Sequence, residues 1–304
     1  MDVVALPRRE LFGLRFVDAR VMRDVVDALM AGQGGDPHVD ADAPLVFTPN
    51  VDLLVNLHKS DWPIATQLMR RAEYVLADGQ PVVWASRLLG SPLQRRLPGS
   101  TLVAELWPRL IADERSVLVI ASSETLATKI RCEYPGARVV VPPYFANEDP
   151  AATSAVAKSC FDACADGAPE FVIAGLSFPK QYTLLDELIR DWPGPSTPRM
   201  FLATGASFEM YYGLRRRSPD WVQRIGMEWF YRFLQEPRRL FRRYFIDDVA
   251  FVGLVWRQYR HAARTPSPAH PSMRPARPIG RVLPGPWRSR RRHAEDDELA
   301  ETAN

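Results

Sequence analysis

The sequence predicts an α/β fold in which a mostly parallel sheet is covered by helices on both faces. Between about residues 44 and 205, short β-rich runs alternate with helical patterns of about ten or more residues, as parallel strands and their crossover helices do. Most of the β-rich runs are almost entirely apolar, which is typical of strands buried on both faces. With 304 residues, 46% of them hydrophobic, the chain can bury a sizeable core.

Taken from the N-terminus, the first predicted elements are a strand over Leu11–Val17 and a helix over Ala19–Met30. A loop rich in Gly and Asp follows them, through Gly34-Gly35-Asp36-Pro37. The parallel strands are then predicted at Leu45–Thr48, Tyr74–Ala77, Ser116–Ala121, Arg138–Val141, Phe171–Gly175 and Met200–Ala203.

Beyond the sheet the composition changes. An amphipathic, aromatic helix is predicted over Trp221–Leu234, and Pro237 opens a second helix with arginines in its first turns. After Arg264 the chain is rich in Pro, Arg and Ser and ends in an acidic stretch, so we expect a disordered tail. The predicted parts are an α/β domain over 1–213, a helical basic appendage over 214–262 and the tail over 263–304.

Charge, hydropathy and cysteine content limit the class of protein. The formal net charge of +3 is too small to indicate a nucleic-acid partner by itself. No apolar run approaches the roughly 20 residues that span a bilayer, and the N-terminus lacks a signal-peptide pattern, so we expect a cytoplasmic protein. Cys160 and Cys164 have no histidine nearby to complete a zinc site, and we interpret them as reduced packing residues.

Metal and redox sites find little support in the sequence. It contains no HExxH, P-loop, GxGxxG or CxxC pattern, and its histidines are scattered. Asp40-Ala41-Asp42 has the spacing of a metal-binding pair, but no apolar strand leads into it. We therefore expect neither a metal site nor a cofactor.

Candidate site residues follow the predicted strands, because ligands of an open parallel sheet bind beyond the carboxyl ends of its strands. Asp78 follows an apolar strand and precedes Gly79. It either belongs to an ordinary Asp-Gly turn or is a partly buried carboxylate with a raised pKa. In the second case it would deprotonate an acceptor hydroxyl. Spacing alone leaves both interpretations open.

Other polar segments follow the remaining strands. Thr48 and Asn50 could bind a sugar hydroxyl, or Asn50 could cap a helix that begins near Val51. Lys180 lies at a predicted helix start that could receive a phosphate. The segments after the other strands are Ser122-Ser123, Pro143-Tyr144-Phe145 and Gly205 to Glu209.

Nine arginines lie between Arg215 and Arg243, interleaved with aromatic residues. Three interpretations stay open: a solvated helix face, a nucleic-acid surface, and a surface that meets anionic lipid or a diphosphate. Aromatic residues with arginine on short helices suit the membrane interface.

Five segments together resemble the WecG/TagA/CpsF-type glycosyltransferases, a family that includes N-acetylmannosaminyl and N-acetylmannosaminuronic acid transferases of lipid-linked glycan assembly. The resemblance covers about residues 40 to 255. The segments are FTPNVDLLV (Phe47–Val55), ADGQPVVWASRLLG (Ala77–Gly90), RRLPGSTLV (Arg95–Val103), GLSFPKQ (Gly175–Gln181) and SPDWVQRIGMEWFYRFLQEPRRLFRRY (Ser218–Tyr244).

The resemblance implies an inverting transfer, on a Rossmann-like fold and without a metal, from a UDP-sugar to a polyprenyl-diphosphate-linked saccharide. It makes Asp78 the general base of the reaction. It also implies that the catalytic domain takes part in the synthesis of exopolysaccharide or a cell-envelope glycan. It makes Thr48, Asn50, Arg96 and Gln181 the polar lining of the sugar pocket, and Tyr144 and Glu209 are expected to bind substrate on the uridine side. It also implies that the appendage closes over the active site at the membrane and holds the diphosphate through Arg232, Arg239 and Arg242.

Some positions depart from the family's pattern, all on its uridine side: Ser122, Ser123, Pro143, Tyr182 and Glu209. We expect the transfer reaction to survive these changes, although they can accompany a different donor sugar. The expected partners are a UDP-sugar, the lipid-linked acceptor and an anionic membrane surface at the inner face of the cytoplasmic membrane. Nucleic acid is not expected, and a homo-oligomer is left open.

One rival from another class is a non-catalytic α/β protein that binds a nucleotide or nucleic acid through the segment rich in arginine and aromatic residues. An NAD-dependent dehydrogenase on the same kind of sheet is a second rival. The missing glycine fingerprint counts against it.

Overall fold

The computed structural model describes residues 6–32, 44–59, 62–147, 149–194, 196–215 and 249–264. All of these residues belong to one compact unit, Met1–Pro266. The predicted Gly/Asp-rich loop, the two predicted helices of the appendage and nearly all of the predicted tail lie outside them. The domain boundaries therefore stay predictions.

One sheet of eight strands runs through the described residues, in the order β1-β2-β4-β3-β8-β7-β5-β6. Every neighbouring pair is parallel except the first, β1 with β2. The strands are β1 (Arg8–Leu11), β2 (Leu14–Val17), β3 (Leu45–Phe47), β4 (Tyr74–Val75), β5 (Val117–Ile120), β6 (Arg138–Val140), β7 (Phe171–Ala174) and β8 (Met200–Ala203). The predicted, mostly parallel sheet is confirmed.

The prediction of one strand over Leu11–Val17 is wrong. The chain reverses at Phe12 and Gly13, whose φ angles are 55° and 69°, and Leu11 pairs with Leu14 across an antiparallel hairpin. Only glycine adopts such angles without strain, so Gly13 was the one local sign of a turn. The apolar pattern continues through the turn, which is why the segment resembles a single strand.

Helices follow the strands at short intervals. They are α1 (Met22–Ala31), α2 (Val51–Lys59), α3 (Pro63–Arg70), α4 (Gln80–Leu88), α5 (Gly99–Ala112), α6 (Glu124–Glu133), α7 (Pro150–Asp162), α8 (Lys180–Asp191), α9 (Ser207–Tyr211) and α10 (Val249–Arg264). Several helices begin where sequence signals place them: Pro63 opens α3, and Asp149 caps α7 by accepting from the Ala152 amide at 2.9 Å. The helix predicted from Ala19 begins at Met22, three residues later.

Two apolar layers lie on opposite faces of the sheet because successive side chains of a strand point to opposite faces. On β3, Leu45 and Phe47 pack in one layer and Val46 packs in the other. Helices α2, α3, α4, α7, α8 and α10 cover the first face, and α1, α5, α6 and α9 cover the second. The helices therefore lie on both faces, as predicted.

Cys160 and Cys164 are buried in the first layer, and both are free thiols. Burial raises the pKa of the Cys160 thiol to about 12, so it is protonated at neutral pH. This agrees with their interpretation as packing residues.

Helix α10 packs against the hairpin turn and α2. The rings of Phe251 and Phe12 lie 5.5 Å apart, and the Phe12 amide donates to Gln258 Oε1 at 3.0 Å. The other face of α10 exposes Val252, Trp256 and Tyr259. None of the helices in the described part of the chain is both long and apolar enough to cross a membrane.

Candidate active site

The carboxyl ends of the parallel strands lie along one edge of the sheet, where open α/β sheets bind ligands. Sheet order fixes which residues become neighbours there. From β2 through β4, β3, β8, β7 and β5 to β6, the residues that follow the strands include Arg20, Asp78, Thr48, Gly205, Ser177, Ser122 and Tyr144.

Asp78 is held beside the segment that follows β3. The Leu76 amide donates to the Phe47 carbonyl at 2.8 Å, and the Asp78 amide donates to the Pro49 carbonyl at 3.0 Å. The pairing of β4 with β3 thus continues past the regular strands as far as Asp78. Its side chain is half-buried, and the next residue, Gly79, caps the amino end of α4.

Thr48 is buried where the amino end of α5 meets the strand ends. A Cβ on Gly99 would lie 3.0 Å from Thr48 Oγ1 and 3.1 Å from Ser207 Oγ. Real Cβ atoms rarely approach so closely, so glycine lets α5 start against β3 and the β8–α9 turn. The structure therefore brings Thr48 together with the segment that carries Arg96.

Asn50 caps α2, because its Oδ1 accepts a hydrogen bond from the Leu53 amide at 3.0 Å. The capping interpretation is thus realised, and it does not involve the side-chain nitrogen. Among the described residues that nitrogen has no hydrogen-bond partner, so it could still donate to a sugar hydroxyl.

Gln181 is buried in the first turn of α8 and connects two strand ends. Its Oε1 accepts from the Gly205 amide at 3.1 Å, which ties the helix after β7 to the turn after β8. Nearby, Gly175 approaches β5 so closely that a Cβ would lie 3.2 Å from the Ile120 carbonyl oxygen. Gln181 therefore shapes this edge through its side-chain oxygen.

Glu209 lies at the predicted nucleotide side, in α9. It accepts a hydrogen bond from Ser122 Oγ at 2.7 Å, and Arg215 Nη1 lies 3.8 Å from its carboxylate. Ser123 caps α6, accepting from the Leu126 amide at 3.3 Å. The two serines therefore have separate structural partners. Both serines follow β5, which has β6 on one side and β7 on the other. Sheets of this kind usually bind ligands in the crevice where the strand order reverses in this way.

Tyr144 and Tyr182 differ sharply in environment. Tyr144 is 95% exposed, and Lys180 Nζ lies 4.6 Å from its ring centroid, at the amino end of α8. Tyr182 is fully buried and packs edge-on against Phe47 and Phe178. The departure at Tyr182 therefore concerns the core, and its ring does not face the nucleotide side as expected.

Arg96 lines a cleft of about 680 Å³ that adjoins Asp78 on the β2 side. Its other cationic residues, Arg20, Arg87 and Arg95, are not among the site residues predicted from the sequence. Of these, only Arg20 could have been found from the sequence, because it lies three residues after the end of β2. Glu105 lies on the same cleft, and burial raises the pKa of its carboxyl group, while Arg23 and Arg109 partly oppose the shift.

The remaining predicted site residues, Arg232, Arg239 and Arg242, lie outside the described residues, as does the Asp40-Ala41-Asp42 segment. Across the described ranges, no three His, Cys, Asp or Glu side chains converge as ligands of a metal ion. The expectation of a reaction without a metal stays a prediction.

Comparisons with known proteins identify the family. A family model described as "Glycosyl transferase WecG/TagA/CpsF family" matches residues 9–265. The N-acetylglucosaminyldiphosphoundecaprenol N-acetyl-beta-D-mannosaminyltransferase of Staphylococcus aureus (strain MRSA252) is 26% identical over 181 residues, which are 58% of this chain and 66% of that protein. The match thus spans slightly less than two thirds of the staphylococcal protein. The protein of the same name from Bacillus subtilis (strain 168) is 25% identical over 191 residues, 62% of this chain and 70% of its own length. Because the family model spans most of the sequence, the chain belongs to the WecG/TagA/CpsF glycosyltransferase family.

Proposed function

We propose that this chain is an inverting glycosyltransferase that moves a sugar from a UDP-sugar to a polyprenyl-diphosphate-linked saccharide during exopolysaccharide or cell-envelope glycan synthesis. The observation that carries the proposal is the position of Asp78, which is hydrogen-bonded beside Thr48 and Asn50 at the ligand-binding edge of the sheet. The bacterial relatives support the substrate class, since their name specifies a diphosphoundecaprenol-linked N-acetylglucosamine as acceptor.

The edge of the sheet has room for an extended nucleotide sugar. Four strand spacings separate β4 from β5, which corresponds to about 19 Å at about 4.8 Å per spacing. The uridine would lie at the β5/β7 crevice near Ser122 and Glu209, and the reacting sugar would lie beside Asp78. The amino end of α8, with Lys180, lies between them and favours the diphosphate.

Asp78 would act as the general base of a single displacement. Its carboxylate takes the proton of the acceptor hydroxyl while that oxygen bonds to the anomeric carbon. The bond from the anomeric carbon to the phosphate oxygen breaks at the same time, and UDP leaves with the electron pair. One displacement inverts the anomeric centre, and positive groups at the leaving diphosphate stabilise its developing charge.

A membrane surface is part of the proposal, at the inner face of the cytoplasmic membrane. Val252, Trp256 and Tyr259 have the spacing of one helical face on α10, and Trp256 is 58% exposed. Arg257 and Arg260 are exposed on the same helix. Exposed aromatic rings beside arginines suit the headgroup region of an anionic membrane, the same membrane in whose hydrocarbon core the acceptor's prenyl chain would be anchored.

The proposal is tested with purified protein, a panel of UDP-sugars and a polyprenyl-diphosphate-linked N-acetylglucosamine acceptor. A thermal-shift screen first identifies the UDP-sugars that bind the folded state, because such ligands raise the melting temperature. Release of UDP together with a heavier lipid-linked product is the expected result. Salt-dependent binding of nucleic acid without any response to UDP-sugars would favour the non-catalytic rival.

A further inference from the structure

The cleft beside Asp78 has a strongly cationic lining. It has a volume of about 680 Å³ and lies between the loop after β2, helix α4 and the segment that leads into α5. Arg20, Arg87, Arg95 and Arg96 line it, and Glu105 is the one carboxylate among the described residues that line it. Four cations against one acid, gathered around one concave surface, favour an anionic ligand.

This cleft is joined directly to the proposed base. The Leu97 amide donates a hydrogen bond to the Ala77 carbonyl at 2.7 Å, which fixes the Arg95–Leu97 segment beside Asp78. Gln80, two residues after Asp78, also lines the cleft. A group bound there would lie next to the reacting sugar.

A buried carboxylate holds one wall of the cleft in place. Asp18 is 3% exposed; its Oδ1 accepts from the Gln94 amide at 2.9 Å and its Oδ2 accepts from Arg9 Nε at 3.1 Å. Arg20 Nε in turn donates to Gln94 Oε1 at 3.1 Å. The loop after β2 and the segment before α5 are therefore positioned against each other before any ligand binds.

Two of the arginines have their charge available. Within the described part of the chain, neither Arg87 nor Arg95 has a carboxylate at ion-pair distance, and both are exposed at the cleft. Arginine guanidinium groups match phosphate oxygens in geometry and charge. The cleft can thus contribute at least two charge-assisted contacts to a diphosphate.

The direction of the displacement selects which diphosphate belongs there, and this step rests on the proposed function. The donor extends from Asp78 towards β5, so its leaving diphosphate lies on the β3, β8 and β7 side. An acceptor oxygen must attack the anomeric carbon from the opposite side, which is the side of β2 and α4. We propose that the arginine cleft binds the diphosphate of the lipid-linked acceptor, through Arg20, Arg87 and Arg95.

The test uses the variants Arg87→Gln and Arg95→Gln, singly and together, with Lys158→Gln on α7 as the control. Lys158 is an exposed residue whose nearest carboxylate partner, Asp162, is on its own helix. Because Arg87 and Arg95 are exposed, the variants should fold, and thermal unfolding checks this. Equilibrium binding is measured for two probes, farnesyl diphosphate and UDP.

We expect each single variant to weaken farnesyl diphosphate binding about tenfold, since hydrogen bonds to charged groups contribute that much or more. The double variant should lose about 100-fold, while UDP affinity stays within about twofold in every variant. In transfer assays the KM for the lipid acceptor should rise, with the KM for the UDP-sugar unchanged. The control should match the unmodified protein.

Several outcomes would overturn the proposal. They are no binding of farnesyl diphosphate by the unmodified protein, equal binding by the double variant, or a selective loss of UDP binding, which would make the cleft a donor site. Failure of the proposed function has a different signature. In that case no UDP-sugar is turned over, whereas the probe measurements still report what the cleft binds.

Discussion

The backbone amide of Asp78 donates a 3.0 Å hydrogen bond to the carbonyl of Pro49, so the proposed base and the polar segment after β3 form one unit. The bond uses only main-chain atoms. A substitution of the Asp78 side chain can therefore change the chemistry while the position of the chain is kept.

Asp78→Asn should abolish most transfer activity while the fold and UDP-sugar binding are retained. The amide has nearly the same shape as the carboxylate but cannot accept a proton from the acceptor hydroxyl, and loss of a general base typically costs about 100-fold or more. The measurement is kcat with saturating substrates, beside thermal shifts with the UDP-sugar. Asp162→Asn on the surface of α7 is the matched control, and an Asp78→Asn enzyme with an unchanged kcat would remove Asp78 from the mechanism.

Gly99→Ala should destabilise the protein by about 1–3 kcal/mol, as overpacking usually does. The new Cβ would lie 3.0 Å from Thr48 Oγ1, so the start of α5 must move away from the strand ends. Donor binding should weaken as well, since Thr48 belongs to the proposed sugar pocket. Chemical denaturation gives the free energy of unfolding.

Gly253→Ala is the matched control for that variant. Gly253 lies inside α10, and apart from its own helix its added Cβ would meet no described atom within 4 Å. The same substitution should there stabilise the helix by up to about 1 kcal/mol, because alanine has the higher helix propensity. Equal destabilisation by both substitutions would show that close packing at Gly99 is not the cause.

The parallel strands could be predicted from sequence because each is a short, almost wholly apolar run between turn signals. Met200–Ala203 was predicted with its observed bounds. The hairpin of β1 and β2 could not be predicted, because its apolar pattern does not break at Phe12 and Gly13. The reversal of the chain there, and the pairing of β1 with β2, depend on backbone angles that a single glycine signals.

The candidate site was predictable in part for a related reason. Residues that follow parallel strands must reach one edge of the sheet, so Asp78, Thr48 and Gln181 could be chosen from their positions. Apart from Arg96, the arginine cleft could not be predicted, because its residues come from three separate elements. Arg20 reaches Gln94 only because β2 lies next to β4, and strand order is not encoded in any local pattern.

Glu105→Gln should stabilise the protein more at pH 7 than at pH 4. Burial raises the pKa of this carboxyl above its ordinary value near 4.5, so the folded state disfavours its charged form. As the pH rises, Glu105 ionises in the unfolded chain before it ionises in the folded protein. The free energy of unfolding therefore falls as the pH rises through the raised pKa of the folded state. Arg23 and Arg109 oppose the shift and Asp27 adds to it, and these neighbours stay in place in the variant.

The measurement is the free energy of unfolding of both proteins at the two pH values. If the difference in unfolding free energy between the two proteins does not change with pH, the raised pKa of Glu105 is contradicted. The same variant should bind farnesyl diphosphate more tightly at pH 7, since it removes a negative charge that lines the cleft.

Replacing Trp256 and Tyr259 together by serine should weaken binding to anionic vesicles at least about tenfold, because two aromatic rings lose their place at the lipid surface. The rings stack on each other with centroids 6.0 Å apart, on the face of α10 opposite the buried Phe251 and Leu254, so the core should be unaffected. Flotation with vesicles of phosphatidylglycerol measures the binding. Trp84→Ser, at a 48% exposed tryptophan on α4, is the control.

The same double variant separates membrane attachment from chemistry. With an acceptor whose prenyl chain is short enough to dissolve in water, its transfer rate should match that of the unmodified protein, because Trp256 and Tyr259 are exposed on a helix that packs against the hairpin turn and α2. With a full-length polyprenyl acceptor in vesicles, the rate should fall in parallel with flotation. Unchanged flotation, or equal losses with both acceptors, would assign the exposed face of α10 to a role other than lipid binding.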